Sequence, residues 1–177
     1  FGSMFQGVVD KQQRANLGQH YTSVPNIFKT IRPLFLDELD KEFDAAANSV
    51  KKLRALLARI QSIKVFDPGC GSGNFLVIAY KALRQLEHRI LEQIDAISTR
   101  GSFGAIGSKT DEEVGQGSLG LTSSVINIEN FYGIEIDDVS AEMAVLALWL
   151  AKHQMNEEFA EKFGVDIPLI PLKKPGI

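Results

Sequence analysis

Val65-Phe66-Asp67-Pro68-Gly69-Cys70-Gly71-Ser72-Gly73-Asn74-Phe75 decides the fold of this chain. A short apolar run, Ile63–Phe66, ends in Asp67-Pro68-Gly69, and three glycines alternate before an apolar-periodic stretch begins at Asn74. The run reads as a buried parallel strand and Asp-Pro-Gly as a tight turn. Glycine admits positive φ and leaves no Cβ between the backbone and a ligand. The helix that follows offers free N–H groups and the positive end of its dipole. The plain structural reading is a strand–helix turn capped by Asp67, but three alternating glycines exceed what such a turn requires.

A dinucleotide-binding turn of the form Gly-x-Gly-x-x-Gly/Ala needs a small residue where this chain has Asn74, and a P-loop needs a lysine that the turn lacks. Asp67 closes the strand instead. A carboxylate there repels a pyrophosphate and attracts a cation, such as the ammonium of an amino-acid ligand or a nearby sulfonium. S-adenosylmethionine carries both. Cys70, between small residues, reads as filler and not as a nucleophile.

Beyond the turn, Asn74–Ile94 reads as a helix with Leu76, Ala79, Tyr80, Leu83, Leu86 and Ile90 on one face. Ser98–Ser124, rich in Gly and Ser and carrying Asp111-Glu112-Glu113, reads as a flexible surface insertion. Phe131–Ile136 reads as a second strand. Ala141–Gln154 reads as an apolar helix, with Ser140 or Asp138 available as N-cap. Upstream, Pro25–Val50 and Val50–Ile60 have helical period, and Pro33 is expected to kink the first or to start a second helix. His88 and His153, on helices, are expected to be solvated or at the core edge. The tail Ile167–Ile177 has three prolines and no period.

Strand, glycine turn, helix, strand and helix in that order predict an α/β, Rossmann-like fold with a parallel sheet and a ligand at the carboxyl ends of the strands. The chain divides into a helical lead-in, residues 1–62, and a ligand-binding unit, residues 63–177. Glu135 sits at the end of the second strand, where such folds hold ribose hydroxyls, and its two oxygens suit the two hydroxyls of an adenosine ribose. Ile136 beside it suits the adenine face. The competing reading makes Glu135, Asp137 and Asp138 a solvated strand end and a helix N-cap. Gly73 and Glu135 stand 62 residues apart, against about 20 in the usual fingerprint; the insertion accounts for the excess.

Composition sets the outer bounds. The 177 residues are 45% apolar and 23% charged, with a net charge of −3, which argues against a protein that coats nucleic acid. The charge is uneven: residues 1–62 carry nine Lys/Arg and six Asp/Glu, and the remainder ten and sixteen. One cysteine excludes an internal disulfide framework and a multi-cysteine zinc site. The longest strongly apolar run, Met143–Ala151, falls far short of the ~20 residues of a membrane helix. The first residues carry no signal-peptide pattern. These features predict a cytoplasmic protein without membrane contact.

Asp67-Pro68-Gly69-Cys70-Gly71-Ser72-Gly73-Asn74-Phe75 resembles the first motif, D-P-A-C-G-S-G, of adenine-N6 DNA methyltransferases of the class I S-adenosylmethionine-dependent fold, with Gly69 in place of Ala. Leu17-Gly18-Gln19-His20-Tyr21-Thr22-Ser23 resembles their upstream G-x-x-Y-T-P/S motif. The likeness is closest to fused restriction–modification enzymes of the MmeI-like, type IIG/IIL kind. It extends to Phe1–Gln6, Pro33–Leu39, Phe131–Ile136 and Ala147–Ala151, so it covers nearly the whole chain apart from Ser98–Ser124. The resemblance implies that Tyr21 and Thr22 contact the methionine part of the cofactor. It implies that Asp67, Pro68, Gly69, Gly71 and Asn74 line it, that Glu135 holds the ribose and that Ile136 borders the adenine. Tyr21 has a competing role as an interfacial aromatic.

Such enzymes also need an Asn/Asp-Pro-Pro-Tyr/Phe turn to bind the flipped base, and this sequence contains no Pro-Pro pair. The expectation is therefore a fragment: a lead-in plus the cofactor half of a methyltransferase domain with an incomplete parallel sheet, inactive alone. Double-stranded DNA would be engaged through other parts of a longer protein, and the truncated sheet edge makes self-association an expectation. Two readings stay open beside it. One is a methyltransferase acting on RNA, protein or a small molecule; the other is a nucleotide-binding module without catalysis. A nicotinamide dehydrogenase is disfavoured by Asn74.

Overall fold

The computed structural model describes residues 22–103, 124–165 and 176–177. Tyr21 and residues 104–123 of the expected insertion lie outside them.

Helix α1, Val24–Ile31, has Pro25 in its first turn, where the missing N–H costs nothing. A π-helical turn, Arg32–Leu36, joins it to α2, Asp37–Ala46. The Asp37 N–H reaches back to the Arg32 carbonyl across the wide turn. Pro33 is thus absorbed by a local widening of the helix, with no break in the chain's path. Helix α3, Val50–Ser62, is capped by Ser49, whose hydroxyl oxygen accepts from the Lys52 N–H.

Strand β1, Val65–Asp67, pairs in parallel with β2, Phe131–Gly133, in the register Val65↔Phe131, Phe66↔Tyr132 and Asp67↔Gly133. Gly176 bridges Tyr132 in parallel on the other side of β2, exchanging backbone hydrogen bonds with Phe131 and Gly133 at 3.2 Å. The expected parallel α/β arrangement is therefore present, as a small sheet in a largely helical chain. The strands are shorter than their apolar runs. Phe66, expected to be buried, is 57% exposed among the described residues, on the sheet face opposite the buried Val65 and Phe131.

Helix α4, Asn74–Phe103, follows the glycine turn and outruns the expected Asn74–Ile94. The Gly/Ser-rich composition from Ser98 does not end it; the Ser98 hydroxyl donates to the Ile94 carbonyl within the helix. Helix α5, Asp138–Phe163, is also longer than expected. Its cap is Asp137, which accepts from the N–H and hydroxyl of Ser140, and not Ser140 or Asp138. Gly164 in the left-handed conformation ends it.

One core joins Ile27 and Ile31 of α1, Leu53 and Ile60 of α3, Leu76 and Leu83 of α4, Phe131 of β2 and Leu148 of α5. Between α4 and α5 lies a fully buried charged cluster, Arg84 and Glu87. Arg84 donates to the Tyr80 hydroxyl, the Asn156 side chain and the Met155 carbonyl. Its Nε stands 2.9 Å from a Glu87 oxygen. Glu87 accepts from the Ser124 hydroxyl and the Val125 N–H, where the chain returns toward β2. Next to it His88 is buried against the Phe159 and Phe163 rings. Burial, helped by the nearby Arg84, pushes its imidazole down to about 4.

Candidate functional site

The carboxyl ends of β1 and β2 lie side by side, and the glycine turn is stitched to both. The Asp67 carbonyl accepts from the Ile134 N–H, and the Ile134 carbonyl accepts from the Cys70 N–H, each at 3.0 Å. Pairing thus continues past the strands and sets the turn against the segment that carries Glu135.

The three glycines have different reasons to be there. Gly71 and Gly73 have φ of +52° and +78°, a region other residues enter at a cost. A Cβ on Gly73 would also lie 2.9 Å from Ala144 Cα, so this glycine lets α5 approach the turn. Gly69 has neither constraint: nothing lies within 4 Å of where its Cβ would be. The alanine usual at that position would fit. Gly133 of β2 is a fourth case, since its Cβ would fall 2.7 Å from the Cys70 sulfur. Cys70 therefore fills the space that Gly133 leaves. Burial, with Asp67 and Glu135 nearby, pushes its thiol up to about 11, which leaves it protonated and unreactive at neutral pH.

Two carboxylates take up amides of the turn. Asp67 Oδ1 accepts from the Gly69 N–H at 3.1 Å across the fixed φ of Pro68. Glu135 Oε2 accepts from the Gly71 N–H at 2.8 Å. Glu135 Oε1 accepts from the N–H groups of Ile136 and Asp137, both at 2.9 Å. Asp67 and Glu135 are half-buried, and Ile136 is 86% exposed beside them. Asn74, the first residue of α4, donates its side-chain amide to the Thr22 carbonyl at 3.0 Å and so ties the start of the lead-in to the turn. Among the expected site residues, Asp67, Pro68, Gly69, Gly71, Glu135 and Ile136 form one mouth, with Asn74 and Thr22 at its α4 side.

Chemically, the mouth is wrong for a phosphate and right for hydroxyls or a cation. The amides that a P-loop would turn toward phosphate are donated here to carboxylates of the chain itself. Among the described residues no group of His, Cys, Asp and Glu is arranged to hold a metal, and no helix is long and apolar enough to cross a membrane.

Comparison with known proteins gives concordant matches. The family model "MmeI, DNA-methyltransferase domain" matches residues 43–177. DNA methyltransferase A of Bacillus subtilis (strain 168) is 44% identical over 177 residues, covering 99% of this chain and 18% of that protein. The solved structure of the type IIL restriction–modification enzyme MmeI in complex with DNA superposes with a TM-score of 0.77 at 40% identity, covering 98% of this chain and 21% of that one. The chain spans about a fifth of the length of these relatives.

Proposed function

This chain belongs to the MmeI DNA-methyltransferase domain family, and on that premise we propose that it is the cofactor-binding part of an adenine-N6 DNA methyltransferase from a restriction–modification system, with S-adenosylmethionine as the methyl donor. The observation that carries this reading is the pairing of Asp67 and Glu135 with the amides of Gly69 and Gly71. The two carboxylates make the mouth anionic, and their pairing occupies donors that a dinucleotide's phosphates would need. A ligand with an ammonium, a sulfonium and ribose hydroxyls fits such a mouth. When bound, it would supply a methyl group activated by the sulfonium.

The chain's own residues bind and orient. Asp67 holds the positive methionine end close to Pro68, Gly69 and Gly71. Glu135 accepts ribose hydroxyl, and Ile136 offers an apolar surface to the adenine. Asn74 fixes Thr22 on the methionine side. The MmeI relative is a DNA complex by its description; double-stranded DNA would meet this chain within a longer protein. With no Pro-Pro pair in its sequence, this chain alone binds cofactor and transfers no methyl group. Cys70 as a buried free thiol suits a reducing cytoplasm.

Thermal denaturation with S-adenosylmethionine, S-adenosylhomocysteine or NAD tests the reading. Either adenosyl ligand at a hundred times its Kd stabilises the chain by about 2.7 kcal/mol, NAD does not, and Asp67→Ala and Glu135→Ala each weaken the effect. Stabilisation by NAD without stabilisation by S-adenosylhomocysteine would refute it, as would turnover of duplex DNA by this chain for the claim of inactivity.

A further inference from the structure

Glu135 does more in this structure than wait for a ligand. A carboxylate offers roughly four acceptor sites, and the N–H groups of Gly71, Ile136 and Asp137 use three of Glu135's. Oε1 is committed to the segment leaving β2, which leads directly into the Asp137 cap of α5. Oε2 reaches back 64 residues in sequence to the glycine turn. Gly71, with φ of +52°, is one of the two glycines whose positive φ shapes that turn. The side chain thus joins the two loops that form the mouth.

We propose that Glu135 is a positioning residue as well as a ligand acceptor: it latches Gly71 to the end of β2 and presents one remaining acceptor site, on Oε2, to a single ribose hydroxyl. This inference rests on the cofactor reading above for its ligand half, while the latch itself rests on the chain's own geometry. It differs from an acidic residue that takes both hydroxyls, one on each oxygen. Here Oε1 is spent on the protein, and losing the carboxylate damages the turn as well as the hydroxyl contact.

Two measurements on the same chain test it. In the ligand-free protein, amide exchange followed by NMR reads the latch. Glu135→Ala speeds exchange at Gly71 at least about tenfold and leaves α5 amides such as Leu148 as protected as before. Unchanged exchange at Gly71, or equal acceleration at Leu148, overturns the latch. If the alanine variant does not fold, Glu135→Leu serves instead, since it fills the space with no acceptor at all and Gly71 is again deprotected. The second measurement is a cycle of affinities. The 2′,3′-dideoxy form of S-adenosylhomocysteine lacks the hydroxyls that Glu135 would contact. Glu135→Ala nonetheless weakens its binding about three- to tenfold if the turn is damaged. Equal affinity of the variant and the parent for the dideoxy ligand means that Glu135 is a hydroxyl acceptor only. If the parent chain binds no S-adenosylhomocysteine at all, the cofactor reading fails, and the Gly71 exchange still decides whether the latch exists.

Discussion

The strand-end mouth and the α4–α5 interface both use buried or half-buried charge, but in opposite ways. At the mouth, the carboxylates of Asp67 and Glu135 bond to backbone N–H groups, and the positions that matter most are glycines. Between α4 and α5, Arg84 and Glu87 bond mainly to each other, to side chains and to a carbonyl, with no exposure at all. The mouth keeps acceptor capacity in reach of solvent, since Asp67 and Glu135 are only half-buried. The interface spends its capacity internally, and so fixes the angle of α5 and the return of the chain at Ser124 and Val125. Solvent-facing acceptors and internal cross-links thus fall on different residues of one small unit.

The largest effect expected from breaking this contrast is at the interface. Glu87→Ala strands the Arg84 charge without solvent and should destabilise the chain by about 3–5 kcal/mol in urea unfolding. Arg59→Ala removes ion pairs with Glu38 and Glu42 that are partly exposed, and should cost no more than about 1 kcal/mol. Comparable losses from the two would erase the distinction between buried network and surface pair.

His88 sharpens it next. Its folded value is about 4, below the unfolded value of ~6.5, so on acidification the unfolded chain takes up the proton first. Stability from keeping His88 neutral is complete above the unfolded value and is lost as pH falls through that window, by up to about 3 kcal/mol. Glu87 acts in the other direction, because burial raises its value. The difference between the parent and His88→Leu, measured by thermal unfolding at a series of pH values, isolates the histidine. A parallel pH dependence in both proteins would show that His88 is not held neutral.

At the mouth, the glycines separate by their surroundings. Gly73→Ala meets Ala144 and a positive φ, and should cost roughly 1–3 kcal/mol. Gly69→Ala meets nothing and should be neutral or stabilising by up to about 1 kcal/mol. Equal costs at the two positions would mean that the turn's shape, and not each glycine's neighbours, governs both.

The mouth was legible in the sequence because its signals are local: an Asp at a strand end, alternating glycines, an acidic residue closing the next strand. The interface was not. Arg84 and Glu87 fall within an amphipathic pattern in which charged residues count as solvent-facing, and their partners lie on another helix and on a returning segment. His88, expected to be solvated or at the core edge, is buried for the same reason: its neighbours Phe159 and Phe163 are about 70 residues away in sequence. The sheet bridge at Gly176 is equally non-local. Helix ends were misjudged where a short-range cue misled, as with the serine and glycine near Ser98, or where the cap lay one residue upstream, as with Asp137. Asn74, read from its motif as a ligand-lining residue, has a partner in Thr22 that only the fold could supply.

The proposed function requires the mouth to take the adenosyl ligand while the α4–α5 interface stays fixed. An NMR titration of this chain with S-adenosylhomocysteine tests it most directly. Amide signals of Gly69, Gly71 and Ile136 should shift on saturation while those of Met155 and Asn156 do not. Saturable binding that moves the interface signals and leaves Gly71 and Ile136 in place would contradict it.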